Sequence, residues 1–359
     1  MAKDINDVLR EQNVLLRKQN ELLRQSASKR GDDGREVFID NINRDEMRYG
    51  FLVTSDRKKI WNVQINLIKE FARICEKHNL RWFIIGGTLI GAARHKGFIP
   101  WDDDADVAML RPDYEKFRAI VESEIKPPYL ADVWYNYRLE IDEPSARTDF
   151  SLPLITRKQF EEYPTAAPLF PLIKIRDSRT LFVEFPGEKG VHQSIWLDVF
   201  PLDSLPPFAD KNRQLNFEAA QMFFIATVHP EIIRDAMQRN VPLAVEYDLL
   251  QDFMRLPYKE RGLLLEELLT ENFFESEHVG DMRDWCVMQG QKFYQLKDFR
   301  DVTYLPFEKV ELPAPIGYES VLTDFYGDWR SPRMYWPHVT DCSTDISWEE
   351  YLKKSATFS

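Results

Sequence analysis

Cysteine is scarce in this chain, with three among 359 residues (Cys75, Cys286 and Cys342). Their odd number and wide spacing exclude a disulfide framework and the paired spacing of a zinc site, and they predict a reducing compartment. Long apolar runs are missing as well: none approaches the roughly 18 residues that span a bilayer. The first residues, MAKDINDVLREQ, carry charge where a secretory signal needs an apolar segment, so a cytoplasmic protein is expected. Positive charge is in deficit, at 47 Lys and Arg against 59 Asp and Glu, a net charge of −12. That balance argues against a protein built to coat nucleic acid, whose phosphates need a basic face. What is present is apolar material: 44% of residues are hydrophobic and 13% aromatic, enough for a substantial core and too much for a disordered chain. The length suits two domains, or one large domain with insertions.

The N-terminal segment reads as a heptad tract over residues 5–25. Leu9, Leu16 and Leu23 recur every seven residues, Asn6, Asn13 and Asn20 precede them at the facing seam position, and Val8, Leu15 and Leu22 run alongside. Asn at that position fixes register and oligomer state at a cost in stability, so the tract predicts a short coiled coil that assists homo-oligomer formation. SASKRGDDGRE (residues 26–36) is small and charged, and reads as linker. The expected layout is an oligomerisation tract over 1–30, linker over 31–53 and an α/β catalytic core over 54–208. A helical subdomain over 209–300 and a C-terminal segment over 301–359, packing back on the core, complete it.

Within the core, Ser55 and Asp56 offer a helix cap, and Ile60, Leu67, Ile68, Phe71, Ile74 and Cys75 follow helical spacing, with Gln64 as a polar exception. Arg81–Ile85 reads as a short strand, Gly86-Gly87 as a break, and Thr88–Arg94 as the start of a second helix. A strand carrying Asp102, Asp104 and Asp106 continues through Leu110, and Pro112-Asp113-Tyr114 opens a further helix. Residues 140–171 contain five prolines and little periodicity, which predicts an irregular loop or lid. Leu172–Arg176 and Ser194–Phe200 look like strands, and residues 209–297 look mostly helical. This order predicts an α/β (α+β) fold with a mixed sheet flanked by helices.

The chemistry is concentrated in GGTLIGAARHKGFIPWDDDADVAML, residues 86–110. In an extended backbone Asp102, Asp104 and Asp106 share one face, and like charges so placed call for a cation. An all-oxygen donor set suits Mg²⁺ or Mn²⁺. Gly86-Gly87 and Thr88 permit close backbone approach to a phosphate at a helix start, while Arg94, His95 and Lys96 add cationic donors. The parts are those of metal-assisted phosphoryl transfer. The apolar flanks Phe98–Trp101 and Val107–Leu110 set the acids apart from a solvated charge run. A calcium loop fails at its sixth position, where the required Gly is Val107, and at its twelfth, where Asp113 replaces Glu.

The run Gly-Thr-Leu-Ile-Gly-Ala-Ala-Arg-His-Lys-Gly-Phe-Ile-Pro-Trp-Asp-Asp-Asp-Ala-Asp-Val resembles the signature of the LicD family. That family, with the fukutin-related proteins, falls in the polymerase-β-like nucleotidyltransferase superfamily. Ser194–Asp203, with Lys174 to Arg176 before it, resembles the family's second acidic block, and Leu305–Glu308 followed by Tyr318, Leu322, Tyr326, Gly327 and Asp328 resembles its C-terminal block. Ala105 stands where relatives often carry a larger aliphatic residue. Trp329–Cys342 matches poorly.

The resemblance implies a metal-dependent transferase that moves a phospho-alcohol, such as phosphocholine, from a CDP-linked donor to a hydroxyl of a cell-surface glycan or its precursor, releasing CMP. Asp104 and Asp106 take the place of the family's metal pair, with Asp102 as an additional ligand and Asp198 as the third carboxylate, where the acceptor hydroxyl has its pKa lowered or gives up its proton. Gly86, Gly87, Thr88, Arg94, His95, Lys96 and Lys174 are the expected donor-phosphate contacts. Asp203 is expected to hold a turn. A lipid-linked acceptor would place the protein at the inner face of the membrane. The same carboxylates would serve nucleotidyl transfer to a sugar or phosphate, and a non-catalytic scaffold using the heptad tract is an alternative of another class.

Overall fold

Two antiparallel strands, β1 (Glu46–Arg48) and β2 (Phe51–Val53), lead into helix α1 (Ser55–Lys77) in a computed structural model of the chain. The structure describes residues 35–136, 172–183, 192–205, 211–228, 230–271, 273, 276–281, 293–332, 342–344, 347 and 350. The heptad tract and the proline-rich 140–171 segment lie outside these residues. The α1 cap is Thr54 rather than Ser55 or Asp56: its hydroxyl accepts the Arg57 amide at 3.2 Å, and the helix ends at His78. Residues 60–68 of α1 are buried without interruption, so this helix runs through the core rather than over it. Two of its polar members are matched to the incoming chain. Asn62 and Asn66 bond the backbone of Glu36 and Phe38, which ties the incoming chain to the helix.

Strand β3 (Phe83–Ile84) is shorter than expected and is followed by α2 (Gly86–Ile90), which begins at Gly86 itself. Helix α2 continues as a π-helical turn over Gly91–His95, closed by Lys96 in the left-handed conformation (φ 60°). Strand β4 (Asp106–Leu110) passes directly into α3 (Arg111–Glu124), whose second residue is Pro112. Then follow β5 (Tyr129–Val133), β6 (Ile173–Asp177), β7 (Leu181–Phe182) and the ten-residue β8 (Trp196–Leu205). Helices α4 (Lys211–Val228), α5 (Pro230–Gln238), α6 (Tyr247–Arg255) and α7 (Tyr258–Glu271) come next. Strands β9 (His278–Gly280), β10 (Tyr294–Gln295), β11 (Val302–Phe307) and β12 (Val310–Pro315), helix α8 (Tyr318–Tyr326) and β13 (Cys342–Ser343) complete the described elements. The helical expectation for 209–297 therefore holds as far as Glu271. Beyond it, β9 and β10 return to the sheet, with β9 pairing antiparallel to Asp203–Leu205 of β8.

The fold is α+β, around a mixed seven-stranded sheet of order β10-β9-β8-β4-β3, with β6 also on β8 and β5 on β6. Length explains the branching. The first half of β8 lies between β4 and β6, while its last residues pair with β9. Only β4 and β8 run parallel in this sheet, and that pairing sets Asp106 opposite Asp198. Helices α1 and α3 pack on the sheet, and α4, α6 and α7 contribute Phe224, Phe253 and Leu265 to the same hydrophobic cluster as Ile65, Phe71 and Phe83. Among the described residues, no helix is long and apolar enough to cross a membrane.

Candidate active site

The acidic segment is not one strand. Only Asp106–Leu110 is extended into the ladder, and residues 102–105 form an irregular loop entered by a turn in which the Asp102 amide bonds the Ile99 carbonyl at 2.9 Å. The reason lies across the core, on one face of α1. Arg57 Nη1 and Trp61 Nε1 both donate to the Asp102 carbonyl, at 2.7 and 3.1 Å, and Gln64 Nε2 donates to the Asp103 carbonyl at 2.6 Å. Residues 57, 61 and 64 are spaced to share a helix face. Carbonyls claimed by side chains are lost to a strand ladder, so the period-of-two expectation for Asp102, Asp104 and Asp106 gives way to a tighter cluster. That cluster admits Asp103, which alternation had placed on the far side. Carboxylate oxygens of Asp102, Asp103 and Asp104 lie within 4.8 Å of one another.

Asp106 and Asp102 both close on the glycine pair. Gly86 has φ +56°, and a Cβ there would sit 2.7 Å from Asp106 Oδ2; a Cβ on Gly87 would overlap Asp102 Oδ2. Side chains at these two positions would displace the carboxylates, and Gly86 also needs its left-handed backbone. Thr88 Oγ1 accepts the Asp106 amide at 2.8 Å, and the Asp198 amide donates to the Ala105 carbonyl at 3.0 Å. Ala105 is fully buried in that bend. The loop, α2 and β8 are thus joined at the carboxylates themselves, by the Thr88 hydroxyl on one side and a backbone bond on the other.

Asp198 is the fourth corner. Trp196 Nε1 donates to its Oδ2 at 2.9 Å, and Lys174 Nζ lies 3.3 Å from its Oδ1 and 4.1 Å from the Trp196 ring centre. Lys174 is almost wholly buried between the Asp198 carboxylate and the Trp196 ring. Burial pushes the Asp102 carboxyl well above the usual carboxylate range, and the neighbouring Asp104 and Asp103 charges push it further. An oxygen-only cluster in which Asp104 and Asp103 raise the proton affinity of Asp102 is chemically fitted to a hard divalent cation, which would relieve that repulsion. Asp102, Asp103, Asp104, Asp106 and Asp198 are the residues able to hold one.

Gly86, Gly87, Thr88, Asp102, Asp104, Asp106, Asp198 and Lys174 are brought together. Arg94, His95 and Lys96 bond to the protein around the π turn instead. Arg94 Nη1 donates to the Trp329 carbonyl at 2.6 Å and its Nε to His95 Nε2 at 2.8 Å, while Lys96 Nζ donates to the Ala93 carbonyl at 2.9 Å. His95 sits edge-on to Tyr49, with Trp101 on the same ring, and burial beside Arg94 and Arg48 lowers its pKa to about 4. Asp203 does not hold a turn. It lies within β8, bound in both oxygens by the buried Arg111 at 2.6 and 2.8 Å. Sequence reasoning missed Asp103, Arg57 and Trp61, and saw Gln64 only as a blemish in an apolar pattern; a buried amide in such a pattern was the available signal. Glu308 was also underread. It accepts from Arg48 Nη1 at 2.6 Å and from the Phe98 amide at 3.3 Å, and its own amide donates to the Lys96 carbonyl at 2.8 Å, latching the β11–β12 hairpin over the turn that precedes the acids.

Residues 79–151, which begin before β3 and contain the glycine pair and the acidic loop, match the family model described as the LicD/FKTN/FKRP nucleotidyltransferase domain. Over 289 residues the chain is 28% identical to the lipopolysaccharide cholinephosphotransferase LicD of Haemophilus influenzae, covering 74% of this chain and 88% of that protein. Two uncharacterized Rickettsia proteins match over short stretches. RT0683 of Rickettsia typhi is 40% identical over 55 residues, and RP689 of Rickettsia prowazekii is 43% identical over 47, each match covering 18% of the relative. The glycine pair facing two carboxylates and the acidic loop lie inside the matched segment, and over that segment the chain is similar to the nucleotidyltransferase domain of the LicD family.

Proposed function

We propose that this protein is a phosphotransferase that moves a phospho-alcohol, phosphocholine or a close analogue, from a CDP-linked donor to a hydroxyl of a cell-surface glycan or its precursor. The observation that carries the reading is the approach of Asp106 to Gly86 and of Asp102 to Gly87, with Asp103 and Asp104 clustered beside Asp102 and Asp198 opposite Asp106. The Haemophilus relative is a lipopolysaccharide cholinephosphotransferase, which favours choline as the alcohol and a surface glycan as the acceptor.

The carboxylates would hold Mg²⁺ or Mn²⁺. Such an ion supplies positive charge for the phosphate oxygens in the transition state. The remaining work falls to the protein. The bare backbone at Gly86 and Gly87 lets the Asp106 and Asp102 carboxylates pack against the start of α2, where the donor diphosphate would meet them. Asp198, oriented by the Trp196 indole, accepts the proton of the acceptor hydroxyl at a carboxylate oxygen. The acceptor oxygen forms its bond to the phosphorus that bears the alcohol, the phosphoanhydride bond breaks in line, and CMP leaves with the electron pair. Lys174 stands beside Asp198 to offset the charge on the departing phosphate. Arg94, His95 and Lys96 keep the π turn in shape, and through it the approach to Gly97 and the acidic loop.

Calorimetric titration with CDP-choline, CDP-ethanolamine, CDP-glycerol and CDP-ribitol, each with Mg²⁺ and with EDTA, tests the reading. CTP and UDP-glucose serve as controls. One CDP-alcohol binding only with metal, and releasing CMP while its alcohol phosphate appears on the glycan, is the expected result. CMP retained on the acceptor would establish nucleotidyl transfer instead. A lipid-linked acceptor would bring the protein to the inner membrane face, which co-sedimentation with acceptor-loaded vesicles would detect.

A further inference from the structure

Arg111 is a fully buried charge, and it lies outside the carboxylate site. Its Nε and Nη2 donate to the two oxygens of Asp203 at 2.6 and 2.8 Å, and its Nη1 donates to Glu115 at 3.0 Å and to Glu266 of α7. Arg111 and Glu266 are fully buried and Asp203 nearly so. Glu266 in turn accepts the Trp134 indole N–H at 2.6 Å. Burying such a group costs several kcal/mol per ion in desolvation and is often no gain over apolar packing. Stability alone gives no reason for its position.

The register of the parallel pair gives one. Strands β4 and β8 are matched from Asp106 opposite Asp198 to Leu110 opposite Leu202. The next residues along each chain are Arg111 and Asp203, so the guanidinium fork closes the very pair of strands whose other end holds the two site carboxylates. Each clamp residue is five positions from its carboxylate. In a regular strand an odd separation puts the two on opposite faces. The clamp therefore cannot touch a ligand and must act through the strands. A slip of one residue between β4 and β8 would move Asp198 about 3.3 Å along Asp106 and turn it to the other face. The bidentate fork tolerates no such slip, because both its N–H groups would lose their oxygens.

We infer that Arg111 and Asp203 are positioning residues, a register clamp that sets Asp198 against Asp106 from the far face of the sheet. The inference rests on the reading of the carboxylates as a divalent-cation site. Manganese titration of the full-length protein, wild type against D203N, R111K, E115Q and D106N, tests it, with urea unfolding in parallel. Removing a partner outside the ligand shell weakens metal affinity by about 10- to 100-fold, and D203N and R111K are expected to fall in that range. R111K keeps the charge and loses the fork, so it answers the question if D203N does not fold. Glu115 touches the same guanidinium from α3, outside the strand pair, so E115Q is expected to lower the urea midpoint while leaving manganese affinity at the wild-type value. Folded D203N or R111K binding manganese like wild type, with D106N binding none, would overturn the clamp and leave the carboxylate reading intact. Equal loss in E115Q would overturn it too, by reducing the clamp to general stability. Wild type without saturable manganese binding would overturn both.

Discussion

Gln64→Met is the sharpest test of how the acidic loop is held. Gln64 is buried, its Nε2 donates to the Asp103 carbonyl at 2.6 Å, and its Oε1 has no hydrogen-bond partner among the described residues. Met has nearly the same length and bulk, so packing changes cost less than about 1.5 kcal/mol. Two polar effects then oppose each other. Removing the donor from a buried carbonyl costs about 1–3 kcal/mol, and removing the unpartnered Oε1 returns a penalty of the same size. The net change in folding stability is expected to stay within about 1 kcal/mol. The loop is not compensated in that way, because the carbonyl of Asp103 loses its anchor to α1. Manganese affinity should fall by about 10- to 100-fold, as for other partners outside a ligand shell. Trp61→Phe is the internal comparison. It keeps the ring stacked on Phe98, with centroids 4.9 Å apart, and leaves Arg57 on the Asp102 carbonyl, so its effect on affinity should be smaller. Urea unfolding and manganese titration on the same preparations read both quantities. A Gln64→Met protein that loses about 3 kcal/mol of stability but binds manganese normally would refute the reasoning, making Gln64 a packing residue.

Glu308→Ala removes the carboxylate from Arg48 and from the Phe98 amide, and should cost about 1.5–3 kcal/mol in urea unfolding, the range for hydrogen bonds to charged groups; an unchanged midpoint would remove the latch. His95 titrates at about 4 in the folded protein against 6.5 ordinarily. Between these values the unfolded chain binds the proton that the folded one refuses, so the stability supplied by neutral His95 is lost as pH falls from 6.5 towards 4. The melting temperature of His95→Gln should therefore fall less than that of wild type across that interval, and parallel curves would contradict the assignment. Deleting residues 1–30 is expected to lower the mass measured by light scattering, whereas an unchanged mass would discard the homo-oligomer expectation.

The glycine pair, the acids at 102–106 and Asp198 were legible in the sequence because their residue types are forced. A Cβ at Gly86 or Gly87 would displace the Asp106 or Asp102 carboxylate, and clustered hard anionic oxygens come from carboxylate side chains. The conformation between them was not legible. Alternating Asp residues beside Val107–Leu110 read as one strand, but the ladder stops at Asp106 because side chains from α1, some forty residues earlier in the chain, take the carbonyls of Asp102 and Asp103. Local pattern carries no record of such a competitor. The same limit hid Asp203, whose partner Arg111 is distant in sequence, and the strands at His278–Gly280 and Tyr294–Gln295, which are too short for a periodic signal.

The Glu308 latch has a consequence for the order in which the protein is made. Arg48 comes from the beginning of the described chain and Phe98 from the run before the acids, and both wait for a carboxylate near residue 310. A nascent chain halted after α7 holds every carboxylate of the site and the sheet strands that bear them, yet lacks the hairpin that fixes the Lys96–Phe98 turn. Synthesis must run past the β11–β12 hairpin before that turn is secured, so the long-range closure of the site follows the folding of the strands that bear the carboxylates. Truncation products lost from the C-terminal side would then be folded over much of their length and still inert.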